Sequence, residues 1–282
     1  PGQLAEPIGH GGGVAIRLAE VVDQAVAEDM HPRAVAIREC GGGGKRRDVL
    51  IIGHAPANLV ASLRARGMQL VHAAPAALAD VDLVSEEDLM PLADRCFDLV
   101  IGMASLDTVN DLPGAFTLIR RILRPDGLFL GAFIGAGSLP RLKAAMLAAD
   151  SETGHGASAH IHPQIDVRAA GDLLQRAGFA MPVADGETLT VRYPALPPLI
   201  RDLRAHGWTN CLSDRPGYVG KAGLIAAATH FAATADPDGK TRETFNFVHL
   251  SGWAPSPDQP KPARRGSATS SLADALKPHR SD

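Results

Sequence analysis

FDLVIGMASLDTVNDLPGAFTLIRRILRPDGLFLGAF, residues 97–133, is the stretch that decides the fold of this chain. Its first seven residues, 97–103, are almost continuously apolar, which is typical of a parallel strand covered on both faces. An Asx residue and Pro113 then begin a helix that has an apolar face. The helix ends at Arg124–Gly127, and Leu128–Phe133 is predicted as a second buried strand.

This strand–helix–strand order predicts a right-handed crossover in an open α/β sheet. In such sheets, ligands bind beyond the carboxyl ends of the strands. The residues that follow the first strand, Met103–Val109, are therefore expected to lie near a binding site.

Alternating strands and helices are predicted on both sides of this unit. Strands are predicted at Asp48–Gly53, Met68–His72, Val81–Val84, Thr188–Tyr193 and Thr244–Trp253, and helices at 14–26, 58–66, 138–149 and 167–177. An irregular loop is expected at 154–164, a turn at Asp185–Gly186, and mostly helical structure from Pro194 to Ala235. The order predicts an α/β fold, a doubly wound sheet of about seven strands with an antiparallel last strand.

The length of 282 residues suits one large α/β domain with small appendages. We predict an N-terminal helix and flexible joint over 1–44, followed by the main α/β domain over 45–253. A helical insert at about 194–236 is a candidate lid, and a Pro-rich C-terminal wrap and tail is predicted over 254–282.

The composition argues against several classes of function. A net charge of −3 and a pI near 6.4 provide no basic surface for nucleic acid or an anionic membrane. The three cysteines form no CxxC pair, which is typical of a reduced compartment. No apolar run approaches the roughly 20 residues of a membrane span, and we expect neither a signal nor a transit peptide. A cytoplasmic protein without nucleic-acid partners is therefore predicted.

Several motifs along the chain carry a resemblance to a known family. They are Met90–Val100, Val109–Ala115, Ile119–Leu130, Leu173–Ala180, Leu189–Tyr193, Leu203–Ala205 and, in the tail, Leu250–Pro255, Gln259–Pro262, Gly266–Ala268 and Leu272–Leu276. The sequence resembles class I S-adenosylmethionine-dependent methyltransferases, and among them the group that holds the biotin-synthesis methyltransferase and the mitochondrial complex I assembly factor 5. The tail resembles the complex I factors specifically, and the resemblance covers about residues 14–276. It implies the Rossmann-like, seven-stranded class I methyltransferase fold.

The resemblance places a cofactor loop directly after the strand that ends at Gly53, and this loop departs from the family pattern. The family carries an acidic residue on that strand and then a Gly-x-Gly-x-Gly turn, in which the backbone approaches the methionine part of the cofactor. Here Gly53 is retained, but Ala55 and Ala57 replace the other two glycines. Ile51 occupies the acidic position, and Pro56 removes a backbone donor.

The ribose and adenine parts of the implied cofactor site are also altered. The acid that would bind the ribose hydroxyls is replaced by His72 or Ala73. Acids are kept only after the third predicted strand, where Glu86 and the Asp88–Leu89 pair remain available beside an adenine. Each lost charge-assisted contact is worth roughly 1.5–3 kcal/mol, so affinity falls by several decades. Whether S-adenosylmethionine binds is left open.

The resemblance implies a set of candidate site residues. The cofactor side comprises Gly53, His54, Ala55, His72, Glu86, Asp88, Leu89, Met103 and Ala104, and the substrate side comprises Ser105, Asp107 and Asn110. No catalytic residue is assigned, since methyl transfer depends chiefly on positioning. Asp107 has two interpretations, a general base or, as the favoured one, an aspartate that caps its loop.

Three histidines, His155, His160 and His162, lie in HGASAHIHP, where His-x-His spacing invites a metal site. No nearby cysteine or further acid completes a set of ligands. A mobile polar loop over the mouth of the pocket is therefore favoured, and no metal is expected.

Hypotheses of different classes follow. The first is a methyltransferase with a degenerate cofactor loop, acting on a protein or acyl substrate. The second is a non-catalytic assembly partner of a respiratory complex I subunit, which a damaged loop inside a well-matched frame favours. The resemblance alone implies a third, arginine hydroxylation of a complex I subunit, and a mitochondrial matrix location if the source is eukaryotic.

Overall fold

One mixed sheet with helices on both faces organises the chain. The computed structural model describes residues 4–5, 47–77, 80–154, 156–208, 210–212 and 217–259. The strands are β1 Leu4–Ala5, β2 Asp48–Gly53, β3 Gln69–Ala74, β4 Leu83–Val84, β5 Phe97–Met103, β6 Leu123–Ile134, β7 Ala180–Tyr193 and β8 Thr241–Trp253. The helices are α1 Ala57–Ala65, α2 Leu112–Ile122, α3 Pro140–Thr153, α4 Val167–Arg176, α5 Leu196–Ala205 and α6 Gly220–Ala233.

The strand order, β1-β7-β8-β6-β5-β2-β3-β4, is that of a doubly wound sheet. Strands β2 to β6 pair in parallel, whereas β8 runs antiparallel between β6 and β7. The chain leaves β2 towards β3 and β4 and then returns to β5 on the other side of β2. The carboxyl ends of β2 and β5 therefore flank the topological switch point, where ligands of such sheets bind. The predicted fold class and its antiparallel last strand are confirmed, with β1 as a two-residue addition at the edge.

The helices cover both faces of the sheet. On one face, Val49, Ile51 and Leu99 pack against α1, α3, α5 and α6. On the other face, Leu50 and Ile52 pack against α2 and α4. Successive side chains of a strand alternate between faces, so a strand covered on both sides must be apolar throughout. None of the helices in the described ranges has the length and apolar character needed to cross a membrane.

The turn predicted at Asp185–Gly186 is wrong. β7 runs without interruption through this dipeptide and pairs with β8 on both sides of it, with Gly186 opposite Val248. Glycine suits this position because a Cβ there would lie 3.1 Å from Val167 Cγ2 of α4. Pairing with β8 and packing against α4 therefore override the local turn preference.

The turn predicted at Arg124–Gly127 is also wrong, because β6 begins at Leu123 and includes these residues. Several other elements differ from prediction in their ends, and β8 begins at Thr241 rather than Thr244. β3 ends at Ala74 rather than His72, and the third predicted strand is confined to Leu83–Val84. α3 begins at Pro140, two residues later than predicted. Proline suits this place because the first helical turn leaves its N–H groups without intrahelical partners.

The structure describes the predicted helical insert in part and only the first residues of the predicted C-terminal wrap. The stretch predicted as the helical insert, 194–236, contains α5 and α6, and α6 packs along α3. Ala254 N donates a hydrogen bond to Gly127 O at 2.8 Å, which fastens the first residue of the predicted wrap to β6. The wrap beyond 259 and the helix predicted at 14–26 lie outside the described residues. The division into domains stays a prediction.

A buried carboxylate on β8 holds the start of α3. Glu243 is fully buried, and its Oε2 accepts a hydrogen bond from Leu142 N at 2.8 Å. Its Oε1 accepts from Arg141 N at 3.2 Å and from Thr244 N at 3.0 Å. Burial raises the pKa of Glu243, whereas these backbone donors act in the opposite direction. The carboxylate replaces the side-chain cap that α3 lacks at its own N-terminus.

Glu243→Ala is expected to lower the free energy of unfolding by about 2–4 kcal/mol, because three backbone N–H groups lose a buried acceptor. Equilibrium unfolding in urea at pH 7 measures this change. Glu152→Ala, at an exposed position on the same helix, is the control and should change the free energy by less than about 0.5 kcal/mol. Equal effects of the two substitutions would contradict the capping role.

Candidate functional site

The ends of β2 and β5 touch at the switch point. His54 N donates a hydrogen bond to Met103 O at 2.8 Å. Gly53 has a φ of +85°, and a Cβ there would lie 2.5 Å from Met103 O and 2.5 Å from Ser105 Cβ. The backbone of the predicted cofactor loop is therefore packed directly on the segment that follows β5.

Two further residues of the predicted cofactor site, Ile51 and Ala55, pack in the apolar core. Ile51, at the position where the family carries an acid, is only 1% exposed in the apolar core. Ala55 packs against the same core. Partial burial, together with the nearby His206 and His72, lowers the pKa of His54. The loop therefore presents a small apolar surface and the imidazole of His54, which favours its neutral form, rather than carboxylates.

His72 lies where the resemblance implies a ribose-binding acid. Its Nε2 is 2.7 Å from Gly53 O, and its Nδ1 is 2.8 Å from Asp80 O. Its backbone N donates a hydrogen bond to Asp82 Oδ2 at 2.9 Å. Two alanines end the strand after it, so no acid stands at the carboxyl end of β3. The imidazole instead bridges the end of β2 and the loop that follows β3.

Of three consecutive acids after β4, the middle one faces inward. Glu87 is 5% exposed, and its Oε1 has no hydrogen-bond partner among the described residues. Burial raises the pKa of Glu87. Glu86 is exposed, as is Leu89, and Asp88 Oδ2 accepts a hydrogen bond from Asp111 N at 3.1 Å. Sequence reasoning missed Glu87 because three adjacent acids are equivalent until packing orients them.

The backbone directly after β5 is strained. Ala104 has a φ of +51°, in the left-handed region, which costs a non-glycine residue about 1 kcal/mol. Its N–H donates to Ala132 O of β6 at 2.8 Å. Met103 and Ser105 on either side are buried, whereas Asn110 further along is exposed. Strain of this kind is concentrated at functional sites.

Asp107 also presents an unpaired carboxylate oxygen. Its Oδ1 is buried and has no hydrogen-bond partner within the described ranges. Burial raises the pKa of Asp107 to about 7, and the carboxylate of Glu87 adds to the increase. The cap of the following helix is a different residue, Asp111, whose side chain accepts from Gly114 N at 2.9 Å. The carboxylate of Asp107 also interacts with its own backbone N–H, so both interpretations, loop cap and functional group, stay predictions.

A cavity of about 250 Å³ opens beside Asp107. Its apolar lining comes from Ile134, Leu139, Leu142, Met146, Ile161, Ile200, Leu203 and Trp208. Its polar lining comes from Asp107, His160, His162, Gln164, Arg204 and Asn210. Mainly apolar walls with a few convergent polar groups are typical of a ligand-binding site.

The stretch predicted as the helical insert contributes one wall of this cavity. Trp208, which follows α5, stacks on His206 with ring centroids 5.0 Å apart. On the core side it lies near Phe245 and Phe247 of β8. Its Nε1 is buried and without a hydrogen-bond partner in the described part of the chain. The wall therefore combines an aromatic surface with an unused donor.

The loop that contains the predicted histidines (the His-rich loop), residues 156–164 in the described part, borders the cavity and is fastened to α3. Asp150 accepts a hydrogen bond from Ser158 N at 2.8 Å, and its other oxygen lies 2.7 Å from His160 Nε2. His155 lies outside the described residues. Across the ranges that the structure describes, no group of three or more His, Cys, Asp or Glu side chains is arranged to hold a metal ion.

Residues 40–131 match the family described as "Methyltransferase domain". The matched range contains β2 and β5, so the altered cofactor loop lies inside the family's own frame.

Similar proteins fall in the groups that the sequence resembles. Arginine-hydroxylase NDUFAF5, mitochondrial, of Danio rerio is 36% identical over 196 residues, which cover 69% of this chain and 61% of that protein. Malonyl-[acyl-carrier protein] O-methyltransferase of Nitrosospira multiformis is 35% identical over 169 residues, which cover 60% of this chain and 53% of that protein. The chain thus spans less than two thirds of either relative. The solved YcgJ protein of Bacillus subtilis aligns with 80% of this chain and 99% of its own, at 14% identity and a TM-score of 0.47.

Gly53→Ala is expected to lower the free energy of unfolding by about 3 kcal/mol or more, because the added methyl group meets Met103 O and Ser105 at a positive φ. Gly67→Ala is the matched control, since Gly67 has a φ of +78° but a Cβ there meets nothing within 4 Å. The control should lose only about 1 kcal/mol. Urea unfolding measures both, and similar losses would show that β2 and β5 are not in tight contact.

Asp107→Asn is expected to stabilise the protein at pH 8 and to leave its stability unchanged near pH 4. The folded-state pKa of about 7 lies above the ordinary 3.8, so the folded acid loses stability as pH rises from about 4 to 7. The loss reaches at most about 4 kcal/mol. Thermal melts at pH 4, 6 and 8 measure it, with the exposed Asp172→Asn as control. A difference between variant and parent that does not change with pH would count against a buried, unpaired Asp107.

Proposed function

We propose that this methyltransferase-fold protein binds an arginine side chain of a partner protein and serves the maturation or assembly of a respiratory complex I subunit. The observation that carries the proposal is Asp107, a partly buried carboxylate whose buried Oδ1 has no hydrogen-bond partner among the described residues, beside a mainly apolar cavity that has a tryptophan wall. The proposal includes a location in the bacterial cytoplasm or the mitochondrial matrix.

An arginine side chain matches the cavity in three ways. Its guanidinium group pairs with a carboxylate such as Asp107 through charge-assisted, often bidentate hydrogen bonds. Its aliphatic stem suits apolar walls such as Leu142 and Met146. Its planar face stacks on aromatic rings, and Trp208 lines the cavity.

The local charge supports a cationic ligand. Glu87 lies close enough to Asp107 to raise its pKa, and both carboxylates have an oxygen without a hydrogen-bond partner among the described residues. Two acids that share a buried site are costly unless one is protonated or a cation neutralises them. Arg204, the guanidinium on the cavity wall, is an exposed residue. A bound guanidinium would supply the missing positive charge.

The relatives favour arginine as the ligand. The Danio rerio protein that is named an arginine-hydroxylase is 36% identical to this chain. This chain covers 61% of that protein, so we transfer the class of side chain that is bound and not the reaction. The bacterial relative named for malonyl-[acyl-carrier protein] is matched over a smaller share of this chain, 60%.

We infer that S-adenosylmethionine does not bind in the manner of the family. The hydrogen bond from His54 N to Met103 O continues the pairing of β2 with β5 by one residue into the predicted cofactor loop. His72, bonded to Gly53 O, stands in the place of the ribose-binding acid. Ile51 is buried and apolar at the other acidic position. Each lost charge-assisted contact is worth roughly 1.5–3 kcal/mol, which removes several decades of affinity.

Isothermal titration calorimetry of the whole chain tests the proposal. A capped Gly-Arg-Gly peptide is expected to bind, and Asp107→Asn should weaken its binding by about tenfold or more, because a charge-assisted hydrogen bond is lost. The same peptide with citrulline, which is neutral, is the control ligand and should give no signal. S-adenosylmethionine at millimolar concentration should also give none.

Other outcomes separate the hypotheses. Tight binding of S-adenosylmethionine without binding of the arginine peptide would overturn the proposal and favour a methyltransferase acting on a protein or acyl substrate. Cross-linking in cells that contain complex I should recover a complex I subunit with the parent protein and less of it with Asp107→Asn. Equal recovery, or recovery of no complex I subunit, would contradict the assembly role.

The affinity for the arginine peptide is expected to rise about tenfold between pH 6 and pH 8. With a pKa of about 7, Asp107 is mostly protonated at pH 6 and mostly ionised at pH 8, and only the ionised form attracts the guanidinium fully. Calorimetry at pH 6, 7 and 8 measures the change. Asp107→Asn should bind weakly and with no such pH dependence, and a parent protein whose affinity is independent of pH would contradict the role of Asp107.

A further inference from the structure

One half of one sheet face is incompletely covered within the described part of the chain. The face is the one that carries Phe245 of β8, which is buried in the core beneath α3, α5 and α6. Side chains of a strand alternate between faces, so His249 and Trp253 lie on the same face, and there β8 is only partly buried. On β7, Val183 lies opposite Ser251 on this face and is 58% exposed. The cover of this face is therefore incomplete over the amino half of β7.

The chain between β1 and β2 has to cross this sheet. β1 pairs in parallel with β7 at Thr190 and Val191, at one edge of the sheet, and β2 lies five strand positions away. β1, β7, β6, β5 and β2 all run in the same direction, because β6 and β7 each pair antiparallel with β8. The segment 6–47 therefore returns from the carboxyl end of β1 to the amino end of β2 and crosses about 24 Å of sheet.

The handedness of the other crossovers in this sheet decides which face the segment takes. Crossovers between parallel strands are right-handed in nearly all proteins. From β2 to β3 the chain moves towards the β4 edge, and α1 lies on the face that carries Ile51 and Phe245. From β5 to β6 the chain moves towards the β1 edge, and α2 lies on the opposite face. The step from β1 to β2 is towards the β4 edge, so its crossover belongs on the face of α1, which is the incompletely covered one.

We propose that the helix predicted at 14–26 packs on this face, over the amino half of β7 and the adjacent end of β8, and completes the core there. A helix with its side chains is about 10 Å wide, which is enough to cover two neighbouring strands. The predicted helix presents apolar side chains at intervals of three and four residues, on one side. They are Val14, Leu18, Val21, Val22 and Ala25.

A segment of the same chain is a better occupant of this face than a second copy. The crossover has to pass over the face in every molecule, because β1 and β2 are fixed at its two sides. A segment that is already tethered at both ends also loses no translational freedom on docking, whereas a second copy does. The apolar stripe of the helix and the exposed Val183 therefore match within one chain.

Thiol labelling of the whole chain tests this cover. Val183→Cys is compared with Val84→Cys, because Val84 of β4 is also a strand valine and is 55% exposed. Both are made in a background in which Cys40→Ser, Cys96→Ala and Cys211→Ser remove the native thiols. The rate of reaction with an aromatic disulfide reagent is divided by the rate of the same thiol in urea. Val183→Cys is expected to react about tenfold more slowly than Val84→Cys, because the thiol has to wait for local opening.

A substitution on the predicted helix tests whether this segment provides the cover. Leu18→Asp should raise the rate of Val183→Cys about tenfold and leave the rate of Val84→Cys unchanged, because an unpaired carboxylate is costly to bury. Ala19→Asp is the matched control, since residue 19 lies outside the apolar stripe, and should change neither rate. If Leu18→Asp raises both rates, the whole fold is lost. Leu18→Ala then takes its place, with an expected rise of about threefold at Val183→Cys alone.

Two results would overturn the inference. Equal normalised rates for Val183→Cys and Val84→Cys would show that nothing covers this face. Slow labelling of Val183→Cys that neither substitution of Leu18 relieves would show that something other than the segment covers it. In that case, a rate that falls as the protein concentration rises would identify a second copy of the chain as the occupant.

Discussion

The contact between the ends of β2 and β5 is the constraint on which the site depends. A doubly wound sheet offers a crevice where its strand order reverses, provided that the loops after the two flanking strands part. Here Gly53 packs on Met103 so closely that a Cβ has no room, and the N–H of His54 is already bonded to Met103 O at 2.8 Å. The backbone that follows β2 therefore lies directly against the end of β5 and against Ser105.

The candidate binding site lies instead beyond the end of β5. The chain turns through a positive φ at Ala104 and brings Asp107 to a cavity enclosed by α3, α5 and the His-rich loop. Glu87 is buried and Asp107 is partly buried, and both have raised pKa values, which is an energetic cost to the folded protein. Groups perturbed by burial and by a like charge in a cleft are typical of functional sites. The same groups lower stability and prepare the cavity for a cation.

The local sequence pattern predicted the positions of some elements closely. It failed where distant segments of the chain determine the structure. The strand Phe97–Met103 and the helix cap at Asp111 have the predicted positions, because an apolar run and an Asx–Pro signal act locally. The turn at Asp185–Gly186 is wrong because β8, which comes more than 50 residues later, supplies pairing partners through the dipeptide. The site at the carboxyl ends of the strands stays a prediction, and the sequence did not indicate the buried Glu87 or the Asp150–His160 pair, because both depend on packing.

The amino-acid sequence by itself determined the doubly wound sheet, the resemblance to methyltransferases and the loss of the loop glycines and acids, because these depend on periodicity and on residue identity at known spacings. The tertiary structure alone decided which acids lose their hydrogen-bond partners, which nitrogen of His160 meets Asp150, and that one cavity contains both His160 and Asp107. Burial and hydrogen bonding are properties of the surroundings of a side chain, and here those surroundings come from segments far apart in the chain.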